Sequence, residues 1–325
     1  MNLGTIGTGA IVREILRGVS RLPDCSVRAV YSRHAETGTA LAESFGISTI
    51  YTNLDHLIGD PDIDTVYIAS PNSLHFTQAR LALEHGKNVL LEKPFTPTLR
   101  EAEELFALAD RNGVQLLEAI APLSLPNYSL IRERVPRVGR PRLVLCNYSQ
   151  YSSRYDALLR GEAANVFLPS FAGGALMDIN LYNIYFCVSI FGRPEQVTYH
   201  PNRHSNGIDT SGIAILRYPD FLCMCEGAKD TWGENSVQIQ GEQGYLFVKD
   251  GSNWCSEVTL ETRSTRETVN EQDPNLHWCY EMQELADLLH HPNPGAYQHR
   301  RQLTLDVVDT LERARKSADL VFPAD

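Results

Sequence analysis

Lys93 is the residue whose position first indicates a chemical role. The run Asn88-Val-Leu-Leu-Glu92 has the apolar character of a short strand covered on both faces. Because Pro94 cannot donate an N–H group to a sheet, this strand must end within Glu92-Lys93-Pro94. The ammonium group of Lys93 then lies at the carboxyl end of a buried parallel strand, where open α/β sheets bind ligands. The alternative is a strand end with a solvated Glu–Lys pair, and this stretch alone leaves both possibilities open.

A second pair of reactive side chains, Asp178 and Tyr182, follows the adjacent glycines Gly173 and Gly174. The residues around them are mostly apolar and predict a buried helix, on which side chains four positions apart share one face. An aspartate inside an apolar helix needs a partner or a task, because an unpaired buried charge is costly. The alternative is a purely structural Asp–Tyr pair.

The chain opens with a strand, a glycine turn and a helix. Asn2 to Ile6 is the predicted strand, and an apolar-periodic helix is predicted from about residue 11 to 20. In this context a GxG turn is typical of dinucleotide binding, because its backbone can approach a pyrophosphate at the helix N-terminus. Val12 replaces the third glycine of the full motif, which predicts looser packing of the helix on the sheet. The residues expected to touch the cofactor here are Gly7, Thr8, Gly9, Ala10 and Ile11.

The end of the second predicted strand bears on the choice between NAD and NADP. NAD-specific proteins usually place an acid there to hold the ribose 2′-hydroxyl group, whereas this chain has Ser32 and Arg33. A serine hydroxyl and a guanidinium group suit a 2′-phosphate, which favours NADP. The alternative is an exposed Arg33 that stacks on the adenine of either cofactor.

The elements that position these residues fall into two patterns. Up to about residue 120, six short strands alternate with helices, which predicts an α/β Rossmann domain with a doubly wound parallel sheet. From residue 121 to 325, strands follow one another without intervening helices, which predicts an α+β domain with a large, open, mostly antiparallel sheet.

Composition excludes several functional classes. The net charge of −11 and the lack of a basic block argue against a nucleic-acid partner. No apolar run approaches the roughly 20 residues that span a bilayer, and the N-terminal residues lack the pattern of a signal peptide. Seven cysteines without a CxxC motif predict reduced thiols in a cytoplasmic protein that holds no metal.

Five motifs, in order along nearly the whole chain, resemble those of the Gfo/Idh/MocA family of nicotinamide-dependent oxidoreductases. They are the GxG turn, Ser70-Pro71-Asn72-Ser73-Leu74-His75, Glu92-Lys93-Pro94, the stretch from Gly173 to Tyr182, and Gly241-Glu-Gln-Gly244. The resemblance implies that Lys93 lies beside the nicotinamide and the substrate hydroxyl group, and that Tyr182 is the proton donor or acceptor. It also implies a catalytic role for Asp178. Besides Ser32 and Arg33 at the end of the second strand, the cofactor-binding residues it implies are Ser70, Pro71, Asn72, His75 and Glu92. Helix capping is the alternative for Asn72, and packing in the first helical turn is the alternative for His75.

The resemblance implies hydride transfer between nicotinamide and a secondary alcohol or carbonyl group of a sugar, polyol or related small molecule. Arg154, Tyr155 and Glu118 are the candidate substrate residues, and a plain surface loop is the alternative for Arg154 and Tyr155. Many tyrosine-type members have an EAxxxR stretch after the sixth strand, whereas this chain has Leu123 at the arginine position, so its substrate pocket is expected to differ. Family members commonly assemble through the second domain's sheet, which implies a homodimer or homotetramer. Two alternatives remain: an NAD-dependent glycosidase of the same family, and a non-catalytic cofactor-binding regulator.

Overall fold

The computed structural model describes residues 1–291 and 293–325. The chain forms two compact units: Met1–Ala121 with Asn275–Thr304, and Pro122–Pro274 with Leu305–Asp325. The first boundary between the units, after Ala121, lies where alternating strands and helices give way to consecutive strands in the sequence pattern. Local sequence patterns predict that everything after residue 120 belongs to the second domain, whereas in the structure residues 275–304 return to the first unit. Local patterns could not predict this return, because it depends on packing between elements distant in sequence.

Strands and helices alternate in the first part of the chain. In chain order they are β1 (Asn2–Ile6), α1 (Ala10–Val19), β2 (Ser26–Tyr31), α2 (Ala35–Phe45), β3 (Thr49–Tyr51), α3 (Leu54–Ile58), β4 (Thr65–Ile68), α4 (His75–Glu84), β5 (Asn88–Glu92), α5 (Leu99–Asn112) and β6 (Leu116–Ala119). The six strands are all parallel, in the order β3-β2-β1-β4-β5-β6. The predicted doubly wound Rossmann sheet is confirmed.

The remaining chain carries the second sheet. In chain order its elements are α6 (Pro126–Arg134), β7 (Pro141–Ser149), α7 (Ser153–Leu159), α8 (Leu181–Phe191), β8 (Gln196–Arg203), β9 (Asp209–Arg217), β10 (Leu222–Ala228), β11 (Ser236–Gly241), β12 (Gly244–Lys249), α9 (Gly251–Trp254), β13 (Glu257–Thr262), β14 (Arg266–Val269), α10 (His277–His290) and α11 (Pro294–Ser317). A π-helical turn, Leu176–Asn180, leads directly into α8.

The core of the first unit lies between its sheet and the helices on it. Strand residues such as Leu3, Tyr67 and Leu90 are buried there because parallel strands are covered on both faces. Helix α10 supplies Met282 and Leu285 to the same core and packs against α1. This burial of apolar surface is the physical reason that residues 275–304 belong to the first unit.

The second sheet has eight strands in the order β14-β13-β12-β11-β7-β10-β9-β8. All its neighbouring strands are antiparallel except β7 and β10 at its centre, which are parallel. The predicted mostly antiparallel sheet is confirmed. The parallel pair has a consequence for the site, because the carboxyl ends of β7 and β10 lie at one edge. Beyond the strands, Gln150 N donates to Ala228 O at 2.8 Å and Ser152 N to Lys229 O at 2.9 Å.

Three of the seven free thiols meet beneath this sheet. The Cys187 Sγ atom on α8 lies 3.8 Å from Cys146 Sγ and 3.7 Å from Cys225 Sγ, and all three are buried. Contacts with the other two thiols, together with burial, raise the pKa of Cys146 well above its usual range. The thiol is therefore protonated at neutral pH and serves as a small apolar side chain of the core.

The segment Pro169–Phe191 is long and apolar enough to cross a bilayer by length and composition alone. However, 72% of its most apolar window is buried inside the protein, as in the core helix of a globular domain. It is therefore only weak support for a membrane span.

Candidate active site

The glycine turn after β1 is shaped for close approach of a ligand. Gly7 has a φ of +118°, and a Cβ atom there would lie 2.6 Å from the carbonyl oxygen of Ala69. Gly9 precedes α1 and is exposed, and a Cβ atom there would meet nothing described within 4 Å. Since Gly9 has no side chain to cap the helix, no side-chain cap covers the first N–H groups of α1, beside Thr8, Ala10 and Ile11. These residues fit a dinucleotide pyrophosphate.

The end of β2 presents one buried and one exposed polar residue. Ser32 is buried, and its hydroxyl group lies 2.7 Å from Thr37 Oγ1 and accepts from His34 N at 3.3 Å. Arg33 is exposed. Ser32 therefore shapes the turn after β2, and Arg33 is the charged group there that is accessible to a ligand.

His75 joins two loops at the carboxyl edge of the Rossmann sheet. Its Nδ1 atom lies 2.9 Å from Pro94 O and its Nε2 atom lies 3.0 Å from Ser70 O. Burial lowers the pKa of His75, so the ring is neutral at neutral pH and donates to one carbonyl oxygen at a time. The predicted contact of His75 with the cofactor stays a prediction. Its ring is buried between the Ser70-Pro71-Asn72 loop and the Lys93-Pro94 loop and contacts one carbonyl oxygen of each.

Glu92 is similarly held within the protein. Tyr67 Oη donates to Glu92 Oε1 at 2.7 Å, and Lys93 N lies 3.2 Å from Glu92 Oε2. Burial and the carboxylate of Glu92 raise the pKa of Glu281, on α10, well above its usual range. A protonated Glu281 beside Glu92 avoids placing two negative charges together. Glu92 thus fixes the end of β5, and Lys93 follows it at intermediate exposure.

Asp209 fixes the start of the helix that carries Asp178 and Tyr182. Its Oδ2 atom accepts from Leu176 N at 2.7 Å and from Tyr199 Oη at 2.8 Å. Gly174, with a φ of +101°, passes so close that a Cβ atom would lie 1.9 Å from Asp209 Oδ1. The paired glycines are therefore required by close packing, and a buried carboxylate caps the helix N-terminus.

Asp178 has a partner that the sequence analysis did not identify. Lys229, directly after β10, donates from its Nζ atom to Asp178 Oδ2. Lys229 is only 4% exposed, so its charge is removed from water and balanced mainly by this carboxylate. The signal in the sequence was a lone lysine after an apolar strand, the same pattern that drew attention to Lys93.

Tyr182 lies one helical turn after Asp178. The π-helical turn ends at Asn180, immediately before the residues that lead to Tyr182, and such turns are frequent at functional sites. The Tyr182 ring makes an edge contact with Tyr148 of β7, with 5.8 Å between ring centroids. The same helical segment therefore carries a phenol and, four residues earlier, a carboxylate that is paired with an ammonium group.

The three candidate substrate residues lie in different surroundings. Glu118 is buried near the end of β6 in the first unit. Arg154 is exposed at the start of α7 in the second unit, and Tyr155 contacts the rings of Tyr151 and Phe167. Tyr155 and Arg154 are thus near each other, whereas Glu118 belongs to the other unit.

Sequence comparison decides the family. Residues 1–119 match the profile of an oxidoreductase family with an NAD-binding Rossmann fold, and residues 131–247 match the Gfo/Idh/MocA C-terminal domain. The chain belongs to the Gfo/Idh/MocA family. The resemblance found in the sequence motifs is confirmed.

Two family members align over nearly their whole length. The NADP⁺-dependent scyllo-inositol 2-dehydrogenase IolU of Bacillus subtilis is 35% identical, over 98% of this chain and 98% of the relative. The uncharacterized oxidoreductase YgjR of Escherichia coli is 34% identical, over 100% of this chain and 98% of the relative. Among solved structures, KijD10, a 3-ketoreductase from Actinomadura kijaniata in complex with TDP-benzene and NADP, has a TM-score of 0.83. It covers 98% of this chain and 97% of its own at 22% identity, which indicates a shared fold.

As a Gfo/Idh/MocA protein, the chain is an NAD(P)-dependent dehydrogenase or reductase acting on hydroxyl or carbonyl groups. The glycine turn after β1 is consistent with that cofactor. The predicted cofactor type and enzyme class are confirmed, while the individual site residues remain predictions.

Proposed function

We propose that the enzyme interconverts a secondary alcohol and a ketone on a polyhydroxylated ring, such as a cyclitol or a sugar, with NADP(H) as cofactor. The observation that carries the proposal is the helical segment with Asp178 and Tyr182. In it, the Asp178 carboxylate is paired with the buried Lys229. The similarity to a scyllo-inositol 2-dehydrogenase supports the substrate class.

Tyr182 is the proposed proton donor and acceptor. A free tyrosine titrates near pH 10, too high for efficient removal of a hydroxyl proton at neutral pH. The carboxylate of Asp178, one turn away, would raise the pKa of the phenol further if it stood unbalanced. Lys229 offsets that charge, so the phenolate form of Tyr182 is not penalised by its neighbour.

Lys93 is the proposed second cation of the reaction. Its ammonium group would favour the phenolate during alcohol oxidation and would polarise the carbonyl oxygen during reduction. When bound, nicotinamide supplies the hydride acceptor or donor. The chain's own task is to orient the reacting carbon and to move one proton, and we assign that task to Tyr182 with Lys93.

NADP is the proposed form of the cofactor. Arg33 is exposed after β2, and no acid follows that strand directly to hold a ribose 2′-hydroxyl group. A guanidinium group pairs with phosphate through charge-assisted hydrogen bonds. The NADP⁺ dependence in the name of the relative that is 35% identical supports the same choice.

We further propose a cytoplasmic homodimer or homotetramer assembled through the second sheet. One face of this sheet leaves apolar side chains partly accessible: Leu143, Ile213, Ile215, Met224 and Phe247. A second copy of the chain would cover them. All seven cysteines are free thiols, which suits a reducing compartment. Light scattering on the protein and on a Phe247→Glu variant tests the assembly.

The proposed reaction is tested by mixing the purified protein with scyllo-inositol and NADP⁺ and following absorbance at 340 nm. Lys93→Ala and Tyr182→Phe should each lower kcat by a hundredfold or more without loss of fold. Tyr245→Phe, which removes a hydroxyl group that donates to Glu261 on β13, should leave kcat unchanged. Full activity of both site variants, with unchanged circular dichroism, would contradict the assignment.

The same assay separates the other two activities considered for this chain. Turnover of a glycoside without a net change at 340 nm, by protein that purifies with bound cofactor, would favour the glycosidase. Tight NADPH binding without turnover of any alcohol, ketone or glycoside would favour the regulator.

A further inference from the structure

Trp232 has an aromatic ring that packs against the protein on one face and is otherwise largely exposed. Its ring stacks on Tyr151 with 5.7 Å between centroids and 10° between planes, yet the residue is 79% exposed. Tyr151 is fixed in turn, because its hydroxyl group donates to Asp156 Oδ1 at 2.6 Å and its ring meets the edge of Tyr155 at 5.8 Å. Tyr155 contacts Phe167 beneath it. We call Trp232 with Tyr151 the aromatic ledge.

The ledge lies at the carboxyl ends of β7 and β10, three residues beyond side chains that contact the proposed acid–base residues. Tyr148, which contacts Tyr182, precedes Tyr151 by three residues, and Lys229, which pairs with Asp178, precedes Trp232 by three. The parallel pairing of β7 with β10 brings both segments to one edge. The hydrogen bond from Ser152 N to Lys229 O, at 2.9 Å, ties them together beyond the strands.

We infer that the aromatic ledge is the substrate subsite on which the C–H face of a polyhydroxylated six-membered ring lies. This inference rests on the proposed function and adds the group that recognises the ring. A stacked indole is already ordered, so its contact with a ligand costs little side-chain entropy. Its negative π face attracts the partly positive C–H hydrogens of a saturated ring.

Ring stereochemistry makes the inference specific. In scyllo-inositol all six hydroxyl groups are equatorial, so each face of the ring presents three axial C–H bonds. Exposed polar side chains follow Tyr151 and Trp232 closely in the chain, among them Arg154, Asp156 and Glu234, and we assign them to the equatorial hydroxyl groups at the rim. Aromatic contact on the face with polar contact at the edge is the usual composition of a small-molecule subsite. The ledge therefore predicts a preference for rings with flat C–H faces over open-chain polyols.

The first test is steady-state kinetics of Trp232→Ala and Trp232→Phe with scyllo-inositol and NADP⁺. The alanine variant should raise the KM for scyllo-inositol at least tenfold, with kcat within twofold and the KM for NADP⁺ unchanged. The phenylalanine variant should recover most of the loss, because it restores a stacking face. The selectivity for scyllo-inositol over the open-chain polyol sorbitol should fall in the alanine variant. Leu159→Ala, on exposed α7, is the matched control and should change none of these values.

A second measurement does not require turnover. The difference in fluorescence between the wild type and Trp232→Phe isolates the emission of Trp232, and iodide quenching reports its accessibility. Saturating scyllo-inositol, with NADPH bound, should protect Trp232 from iodide. Protection of Trp232 without any turnover would support the substrate subsite and contradict the proposed reaction.

Two outcomes would contradict the assignment of the aromatic ledge as a substrate subsite. In the first, the wild type is active, the Trp232→Ala variant has an unchanged KM for scyllo-inositol, and scyllo-inositol does not protect Trp232 from iodide quenching. The second is a Trp232→Ala variant that falls to a smaller assembly on light scattering with unaltered KM, which would make this surface a subunit contact.

Discussion

Lys229 and Asp178, 51 residues apart in the chain, form an ion pair one helical turn from Tyr182. The lysine side chain is almost fully buried, whereas that of the aspartate is 28% exposed. Burying an ammonium group is costly unless a carboxylate balances it, so the pair is held together by its surroundings. It sets the local charge next to the proposed proton donor.

Removing the cation of this pair should alter the pH dependence of catalysis. In Lys229→Met the Asp178 carboxylate is unbalanced and raises the pKa of the phenol, so the limb of the kcat/KM profile due to Tyr182 should move to higher pH. We also expect a loss of about 1–3 kcal/mol in the free energy of unfolding, because the partly buried carboxylate loses its hydrogen-bond donor. Profiles of kcat/KM against pH check the first effect and urea unfolding checks the second.

Two variants that keep the Asp178–Lys229 position free of net charge are the controls for this prediction. Lys229→Arg keeps the positive charge and should retain the wild-type profile. Adding Asp178→Asn to Lys229→Met removes the unbalanced charge and should return that limb towards its original pH. An unmoved profile in Lys229→Met would mean that the pair has a structural role only.

Replacing Arg33 by alanine should shift cofactor preference from NADPH towards NADH. The guanidinium group can pair with a 2′-phosphate, and a charge-assisted hydrogen bond of this kind is worth about 1.5–3 kcal/mol, or tenfold and more in affinity. Fluorescence titration with NADPH and NADH measures both dissociation constants. Arg111→Ala, another exposed arginine of the first unit, should leave both unchanged. Tighter binding of NADH by the wild type would refute the proposed NADP preference.

The first unit should lose stability in mild acid because of a buried histidine. Burial lowers the pKa of His277 to about 4, whereas the ring titrates near 6.5 in the unfolded chain. Between these values the unfolded state binds a proton that the folded state does not, so the free energy of unfolding falls as pH drops from about 6.5 to 4. The linkage gives a loss of about 3 kcal/mol for His277. Burial also lowers the pKa of His75, which adds in the same direction.

Urea unfolding between pH 7.5 and pH 4.5 measures this loss. His277→Asn should show a shallower decline than the wild type, whatever its stability at pH 7.5. His299→Gln, which removes an exposed histidine of α11, should follow the wild-type curve. Equal slopes for all three proteins would show that His277 does not titrate as expected.

Alanine at Gly174 should destabilise the second unit and displace the helix with Asp178. A Cβ atom there would lie 1.9 Å from Asp209 Oδ1, in addition to the strain of a φ of +101°. We expect a loss of about 2–4 kcal/mol in the free energy of unfolding, by a combined steric and backbone cost. Gly46→Ala is the control, because its φ of +65° and ψ of +27° are left-handed and its Cβ atom would meet no described atom within 4 Å. It should lose only about 1–2 kcal/mol, the cost of the left-handed conformation.

Much of this fold is predictable from local sequence. Apolar runs ending in glycine turns or proline predict the six parallel strands, since burial and backbone geometry act over a few residues. The same local logic identifies Lys93 at the end of β5 and the shared face of Asp178 and Tyr182. The proposed NADP preference rests on Arg33, a residue that local sequence also identifies.

The tertiary structure alone decided which side chains contact one another across the fold. Lys229 meets Asp178 because the π-helical turn that carries Asp178 packs against β10, and the place of β10 in the sheet is set by packing across the whole sheet. The stacking of Trp232 on Tyr151, the meeting of Cys187 with two other thiols, and the return of α10 to the first core have the same origin. The sequence determined which groups the chain carries and on which elements they lie. Their neighbours, and hence their charge balance, depend on contacts between residues far apart in the chain, which no local periodicity encodes.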